Sequence, residues 1–362
     1  MAKNHIDRRR KQYFQLSSQI AHLDNTQLRS LLENSESNHS STGWGMNHVI
    51  VFRQANIFVK RLPVTKVEYD NLFSTKNFYG LPPSYHYGID SPGFGVFREL
   101  VTHIKTTHWV LTEEIATFPL MYHYRILPFS GQWPNMEIDQ LSNQATVRNY
   151  ALDKANASHE LVLFLECIPQ ILETWLRFNP HQLQKLLNDL RTTIDFLRTK
   201  GIIHFDVHFR NILTDGVQIY LTDFGLVLDQ GFALANDETA FFEQNSLYDY
   251  GEVLRNLGHL IRLPYESCSE DEKRRIRRKY GIEAGLELYQ VGAILLDHIE
   301  QIHTDADLHL DEFYVASIIK YRPIIALMQD FFVDMWRNKQ KDTQLPHVQL
   351  GLLLQETGFL RG

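Results

Sequence analysis

The spacing of apolar residues predicts a chain of mixed α and β structure, with most of its helices in the second half. One helical stripe is stronger than the others, and it lies between the capping pair Asn179-Pro180 and Gly201. Asn179 and Pro180 are typical of a helix start, and Gly201 is typical of a helix end. The stripe is formed by Leu183, Leu186, Leu187, Leu190, Ile194 and Leu197. It predicts a helix that leads directly into the segment beginning at Lys200.

Shorter apolar runs in the first half predict β-strands. Residues 49–52 and 57–60 flank turn residues 54–56, a pattern typical of a hairpin, and Pro63 predicts the end of its second strand. Two further strands are predicted at residues 118–127 and 161–165.

Helical spacing recurs in most of the remaining chain. Residues 1–35 are predicted to be helical with a break at 24–26, and a further helix is predicted from Gln170. The other predicted helices are residues 97–114, 246–263, 270–281, 286–302 and 311–340. Residues 226–245 lack this pattern and are predicted to form a loop. The basic run 8–11 is interpreted as a solvated helix end rather than as a contact with an anionic surface.

Composition and charge narrow the class of protein. The chain has 362 residues, of which 44% are hydrophobic and 22% charged, which fits a globular protein of two domains or one bilobal unit. The net charge of −7 gives no reason to expect nucleic-acid binding. Cys167 and Cys268 cannot form a disulfide framework or a four-thiolate zinc site. No apolar run approaches the ~20 residues that span a bilayer, and no secretory signal is recognisable, so a cytoplasmic location is expected, with non-classical secretion left open.

Residues 200–227 contain two carboxylates and an amide at a spacing suited to a bound cation. Asp206 lies in a tight loop, Asn211 follows it, and Asp223 comes after a predicted hairpin. Carboxylate and amide oxygens are ligands for hard cations such as Mg²⁺. The spacing allows these three side chains to surround one divalent cation and a triphosphate.

Two glycines upstream could complete such a site. Gly43 and Gly45 precede the first strand, and a Gly-x-Gly turn lets backbone N–H groups approach a phosphate because no Cβ stands in the way. The third glycine of the fuller pattern is absent, with His48 in its place. Considered alone, these glycines fit a plain hairpin turn equally well.

Lys60 is the candidate phosphate-binding lysine. It shares a strand face with Phe58, and a lysine on an inner face is costly unless it meets an anion. Glu99 opens the predicted helix 97–114, where the helix dipole favours a carboxylate, and it is the expected partner of Lys60. Glu68 is the alternative partner.

These motifs together resemble the protein-kinase-like superfamily. The catalytic-loop pattern His-x-Asp-x-x-x-x-Asn is present as His204, Asp206 and Asn211, and Asp-Phe-Gly is present as residues 223–225. The resemblance covers residues 41–262 and implies an α+β, bilobal fold, with a small antiparallel-sheet N-lobe and a large, mostly helical C-lobe. It divides the chain into an N-terminal helical extension (1–40), an N-lobe (41–168) with an insertion at 129–160, and a C-lobe (169–362) with extra C-terminal helices.

The resemblance implies an ATP- and Mg²⁺-dependent phosphotransferase. Asp206 would accept the proton of the attacking hydroxyl, and Asn211 and Asp223 would hold Mg²⁺. Lys60, positioned by Glu99, would contact the α- and β-phosphates.

Two backbone segments would hold the rest of the nucleotide. The turn at Gly43 and Gly45 would cover the phosphates. The connector between the lobes includes Glu166 and Ile168, and its backbone would hydrogen-bond the adenine edge.

Departures from the family pattern leave the phosphoryl acceptor open. Phe205 stands where many regulated protein kinases carry a phosphate-binding arginine, and His208 stands where protein kinases usually carry lysine. No Ala-Pro-Glu follows Gly225, and a histidine at position 208 is similar to aminoglycoside and choline kinases. The first hypothesis is a divergent, bacterial-looking Ser/Thr protein kinase. The alternatives are a small-molecule kinase of the aminoglycoside or choline type, and a pseudokinase or nucleotide-binding module.

Overall fold

The computed structural model describes residues 2–33, 45–134 and 144–360. Within these ranges the protein is mixed α and β, with a four-stranded antiparallel sheet and many helices. The chain forms two compact units, here called unit 1 and unit 2. Unit 1 comprises Met1–Pro169, Lys200–Asp206 and Tyr220–Glu243, and unit 2 comprises Gln170–Thr199, Val207–Ile219 and Gln244–Gly362.

The described residues form strands and helices with the following bounds, in chain order. The strands are β1 (Met46–Phe52), β2 (Ala55–Val64), β3 (Met121–Pro128), β4 (His159–Glu166), β5 (Gln170–Ile171), β6 (Ile202–Ile203), β7 (Ile212–Thr214), β8 (Ile219–Leu221) and β9 (Leu228–Asp229). The helices are α1 (Ala2–Ala21), α2 (Asn25–Glu33), α3 (Lys66–Asp70), α4 (Val96–Leu111), α5 (Ala145–Ala155), α6 (Leu172–Leu176), α7 (Leu183–Thr199), α8 (Asn236–Asn245), α9 (Tyr248–His259), α10 (Arg262–Ser267), α11 (Glu270–Lys279), α12 (Leu288–Asp297), α13 (Ile299–Thr304), α14 (Glu312–Arg337) and α15 (His347–Glu356). Short 3₁₀ helices occupy Pro83–Tyr87 and Pro180–Gln182. None of the described helices is long and apolar enough to cross a membrane.

The main sheet of unit 1 has the strand order β1-β2-β4-β3. Lys60 of β2 lies opposite Asn47 of β1 and Leu163 of β4. The predicted strand end at Pro63 is wrong, because β2 continues through this residue. β2 pairs with β1 only as far as Arg61, so Pro63 lies where β2 pairs with β4 alone and a missing N–H is tolerated.

The core of unit 1 lies between this sheet and α4. The interior of β4 is buried on both faces, as its continuous apolar run predicts. The buried cluster consists of Leu62, Val64, Val96, Phe97, Leu100, Met121, Leu161, Leu163 and Leu165. Because β2 and α4 both contribute to it, the residues that they carry, Lys60 and Glu99 among them, have fixed relative positions.

A smaller cluster in unit 1 holds the segment that precedes α4. Tyr85 and Phe94 of that segment pack with Val147 and Tyr150 of α5. The Tyr150 hydroxyl also donates a hydrogen bond to Glu68 Oε1, at 3.1 Å. These contacts fix α5, which lies in the range predicted as an insertion, against residues of the α3–α4 region.

Unit 2 is built from helices. α14 packs against α9 and α7, and all six residues of the α7 stripe are buried. The prediction of this helix is confirmed, except that its first residues, Pro180–Gln182, form a 3₁₀ turn. Pro323 lies inside α14, which continues through it.

Two local predictions are wrong for the same reason. Residues 226–245, predicted as a loop, contain β9 and α8, and buried Glu238 of α8 pairs with Arg98 at 2.6 Å. A helix was predicted from Gln170, but this residue opens β5, and the helix begins at Leu172. In both places the local structure depends on a partner that is distant in sequence. The apolar spacing within the segment gives no information about that partner.

Candidate functional site

A cavity in unit 1 brings together most of the polar residues that the sequence analysis selected. Its volume is about 170 Å³, which is below the ~300–1,000 Å³ of pockets that enclose whole ligands. Its charged lining residues are Lys60, Glu99, Lys154, Asp206 and Asp223. The cavity is therefore sized for a small charged group, such as part of a phosphate chain.

Lys60 stands between two carboxylates in this cavity. Its Nζ lies 2.7 Å from Glu99 Oε1 and donates a hydrogen bond to Asp223 Oδ1 at 2.8 Å. Burial alone would lower the pKa of the Lys60 ammonium, but the Asp223 and Glu99 carboxylates outweigh it and raise that pKa. Lys60 is therefore positively charged throughout the physiological range, and its charge is already compensated within the protein.

Glu99, rather than Glu68, is the partner of Lys60. Glu99 lies in the first turn of α4, and the contact with Lys60 is an ion pair without hydrogen-bond geometry. Burial opposes ionisation of the Glu99 carboxyl, but the Lys60 ammonium lowers its pKa below the ordinary value. Glu68 is used elsewhere, because its carboxylate accepts hydrogen bonds from the backbone N–H groups of Thr65 and Val96.

Asp223 combines a strong charge with exposure to the cavity. Its side chain is 44% exposed although Oδ1 bonds Lys60. Desolvation would raise the pKa of the Asp223 carboxyl, but the Lys60 ammonium lowers it to about 2. The backbone of Asp223 has φ +65°, a conformation that costs non-glycine residues energy and that concentrates at functional sites.

Asp206 follows a residue that is anchored by aromatic packing. Its backbone N–H donates to His204 Nδ1 at 3.2 Å. The preceding Phe205 is 1% exposed and has φ +64°. The Phe205 ring lies 5.2 Å from the His86 ring and 5.6 Å from the Phe241 ring, between centroids. Sequence reasoning noted only that Phe205 is not arginine. The structure shows that it is a buried anchor of the loop that carries Asp206.

Asn211, the remaining residue of the predicted cation set, belongs to unit 2. Its backbone N–H donates to the backbone carbonyl and to Nδ1 of His208, at 2.8 and 3.2 Å. These bonds fix the local turn. Joint binding of a cation by Asn211 and Asp223 stays a prediction.

Of the two predicted phosphate-covering glycines, Gly43 lies outside the described residues. Gly45 lines the cavity and directly precedes β1. A Cβ at Gly45 would lie 2.5 Å from the backbone oxygen of Arg61, so no side chain fits there. The close approach of β1 to β2 is therefore sufficient to explain this glycine.

Sequence reasoning missed a second glycine-rich segment and a lysine in the same cavity. The turn-rich sequence of residues 81–95 predicts only an irregular segment, yet residues 88–95 line the cavity over much of their length. Lys154 was assigned to an insertion without a role. Its Nζ donates to the backbone oxygen of Pro92 at 2.6 Å. The frequent Gly, Ser and Pro residues of segment 88–95 are the one local feature of the sequence that could have indicated this cavity-lining segment.

The predicted adenine-binding connector makes contacts with the N-terminal helix. Arg9 of α1 donates to both carboxylate oxygens of Glu166 and to the backbone oxygens of Ala116 and Phe118. Arg9 is 4% exposed, so the interpretation of run 8–11 as a solvated helix end is wrong for this residue. The Glu166 N–H donates to the Leu120 carbonyl. Contact of Glu166 and the half-buried Ile168 with a nucleotide stays a prediction.

The residues of the cavity fit a cation that is shared with phosphate. Among the described residues, no group of three or more His, Cys, Asp or Glu side chains is arranged to hold a metal ion by itself. Mg²⁺ in nucleotide sites is usually held by one or two carboxylates together with phosphate oxygens, not by an all-protein cage. The half-exposed Asp223 carboxylate is suited to such a shared position.

A larger cavity of about 470 Å³ lies in unit 2. Its lining combines six leucines with several charged residues. Arg177 pairs with Glu266, Arg275 lies 3.5 Å from Asp307, and Asp311 caps α14. The smaller cavity of unit 1 is the stronger candidate for ionic chemistry, because it collects Lys60, Glu99, Asp206 and Asp223 in one place.

Neither protein-family models nor curated proteins match this chain. Its function is therefore inferred from the residues and geometry of the cavity.

Proposed function

We propose that this chain is an ATP- and Mg²⁺-dependent phosphotransferase, a kinase that moves the γ-phosphoryl group of ATP to a hydroxyl group. The observation that carries the proposal is the ionic cluster of Lys60, Glu99 and Asp223 in one cavity with Asp206. The proposal includes the bilobal, protein-kinase-like fold that the sequence motifs resemble. A divergent Ser/Thr protein kinase is the first acceptor class to test.

The energetics of the cluster support a functional origin. A buried lysine held by carboxylates stabilises a fold no better than well-packed apolar residues would, because desolvation offsets the Coulomb attraction. Phosphoryl transfer, in contrast, requires such fixed charges, since its catalysis consists almost entirely of positioning and electrostatic stabilisation.

Each residue would have a defined role in the transfer. Asp206 would accept the proton of the attacking hydroxyl, and ADP would leave as the γ-phosphoryl group is transferred. Lys60 would bind phosphate oxygens, and Glu99 would hold its ammonium in place. Asp223 and Asn211 would hold Mg²⁺, which supplies positive charge that offsets the charge on the phosphates.

The test is ADP release with Mg·ATP, measured without acceptor and with Ser/Thr peptides, aminoglycosides or choline. Mass spectrometry of the protein would detect self-phosphorylation. Asp206→Asn should lower turnover by about 10²–10⁴-fold with unchanged thermal stability, because it removes the base. Asp70→Asn, at a half-exposed position outside the cavity, is the matched control and should retain activity.

Two results would count against the proposal. Full turnover in the Asp206→Asn variant would exclude Asp206 as the base. A wild-type protein that shows neither ADP release nor thermal stabilisation by Mg·ATP would exclude the kinase function as a whole.

A further inference from the structure

Lys154 is a buried cation that the kinase-like motifs do not explain. It lies on α5, is 6% exposed, and lines the same cavity as Lys60 and Asp223. Its Nζ lies 4.7 Å from the centroid of the Tyr150 ring and donates to the Pro92 carbonyl. An ammonium has three donors, so it can bond an anion while it keeps the Pro92 carbonyl.

The two lysines of the cavity differ in how well the protein compensates their charge. For Lys60, the attraction of Asp223 and Glu99 exceeds the cost of burial and raises the pKa. For Lys154, the cost of burial exceeds the attraction of Glu68 and Glu99, and the pKa falls to about 8. The charge of Lys154 is therefore less fully offset by neighbouring groups than that of Lys60.

A glycine with left-handed backbone geometry, Gly93, lies beside Lys154 in the cavity. Gly93 has φ +77°, which disfavours any other residue. A Cβ on Gly93 would lie 3.4 Å from the Gly225 carbonyl oxygen and 3.7 Å from Lys154 Nζ. A side chain at position 93 would thus extend into the space between the ammonium and the segment that follows Asp223.

We propose that Lys154 is a second phosphate-binding residue of this cavity, and that it contacts the phosphate chain of a nucleoside triphosphate beside Lys60. The identity of the ligand rests on the kinase function proposed above, whereas the anion-binding role rests on the burial and position of the lysine.

A purely structural role for Lys154 gives different expectations. If the lysine only holds Pro92, its replacement would change thermal stability but not the dependence of ligand affinity on pH. Charge-retaining and charge-removing variants then separate the two roles. Lys154→Arg keeps the charge, and Lys154→Met keeps much of the aliphatic stem over Tyr150 without the charge.

The experiment measures the binding of Mg·ATP and of inorganic tripolyphosphate to the full chain by calorimetry at pH 7. Lys154→Met should weaken both by about tenfold or more, because a hydrogen bond to a charged group is lost. Lys154→Arg should stay within about threefold of wild type. Lys66→Met removes the same charge from an exposed position outside the cavity and should bind like wild type.

The pH profile supplies the readout that a structural role would not change. Among the described residues, the titratable groups around Lys154 include Glu68 of α3, Glu99 of α4, Lys60 of β2 and Tyr150 of α5, and Asp206 and Asp223 line the same cavity. The pKa of Lys60 and of Tyr150 is raised, and that of Glu99 and of Asp223 is lowered, so these four groups keep their charge state between pH 7 and 9.

Burial lowers the pKa of Lys154 to about 8, so its ammonium loses the proton progressively as the pH rises through this value. A bound anion favours the charged form, so binding above pH 8 takes up a proton. The wild-type affinity should therefore fall by up to about tenfold per pH unit above pH 8, and Lys154→Arg should not show this fall.

Each outcome decides the proposal. Unchanged affinity of Lys154→Met for both ligands overturns it, as does a wild-type affinity that is flat from pH 7 to 9. If Lys154→Met does not fold, the pH profiles of wild type and Lys154→Arg decide. If the wild-type protein binds tripolyphosphate through Lys154 but does not bind Mg·ATP, the result supports the anion site and rejects the kinase function. A wild type that binds neither ligand overturns both.

Discussion

At Lys60 one ammonium balances two carboxylates, so its replacement should make stability depend differently on pH. Lys60→Met leaves buried Glu99 and half-exposed Asp223 without their cation and should lower the free energy of unfolding at pH 7 by about 3 kcal/mol. In wild type both carboxyls have lowered pKa values, that of Asp223 about 2, so their stabilisation is present above the ordinary carboxyl range near pH ~4 and is lost as the pH falls through the lowered values. The difference between wild type and variant should therefore shrink below pH 4.

Urea denaturation at pH 7, 4 and 3 measures this difference. Lys66→Met is the control, because Lys66 forms an exposed pair with Asp70 whose loss costs little. A constant gap between wild type and Lys60→Met at all three pH values would show that packing, not charge, sets the effect.

Phe205 tests whether the loop before Asp206 depends on aromatic packing. Phe205→Ala removes a fully buried ring from contact with His86 and Phe241 and should cost about 3–5 kcal/mol of stability. Phe178→Ala removes the same ring from a 76% exposed position and should cost little. Equal midpoints of chemical denaturation for the two variants would contradict the anchoring role of Phe205.

The residue scale is where sequence reasoning succeeded best. The alternation of a strand placed Lys60 on an inner face, and the first turn of a helix placed Glu99, so their pairing could be predicted before the structure was known. Lys154 could not be found in this way. Its partner Pro92 lies 62 residues away, and nothing in its local sequence separates it from a solvated lysine on a polar helix.

Among the elements, α1 makes the clearest contribution beyond the motifs. Arg9 joins this helix to the end of β4 through Glu166, and it also bonds two backbone carbonyls. Arg9→Ala should destabilise the protein by about 3–5 kcal/mol, because the mostly buried Glu166 carboxylate would lose its cation and keep only the hydrogen bond from the Leu120 N–H among its described side-chain contacts.

Thermal or urea unfolding of Arg9→Ala beside Arg8→Ala tests this contribution. Arg8 is exposed on the same helix, so its loss should change stability by no more than about 0.5 kcal/mol. If both variants unfold at the same denaturant concentration, α1 does not stabilise unit 1 through Arg9.

Elements with strong local periodicity were predicted, and elements fixed by distant partners were not. The stripe of α7 defines its buried face without further information. α8 has little apolar periodicity, and its buried Glu238 pairs with Arg98, 140 residues away. The contact of Arg9 with Glu166 spans 157 residues, so a basic run at a helix start could not reveal it.

At the scale of the whole molecule, the two units alternate along the chain. Unit 1 takes its last segments from residues 200–206 and 220–243, which contain Asp206 and Asp223. A chain truncated to residues 1–169 lacks both carboxylates and the β6–β9 pair. We expect it to lose the protease-resistant core that the full chain retains, because Lys60 would be left with Glu99 as its only partner in the cluster.

Limited proteolysis followed by mass spectrometry compares the two chains. A chain of residues 1–243, which contains all of unit 1, is the control and should protect residues 46–128 better than the shorter one. Equal protection in residues 1–169 would show that the later segments are not needed for the sheet and α4 to fold.

The hydrogen bond between Lys60 and Asp223 joins residues 163 positions apart. At about 5–20 residues per second, the ribosome adds Asp223 roughly 10–30 s after Lys60. For most of that interval the nascent chain contains Lys60 and Glu99 but not Asp223. The yield of folded protein should therefore depend on how fast the codons between these residues are translated.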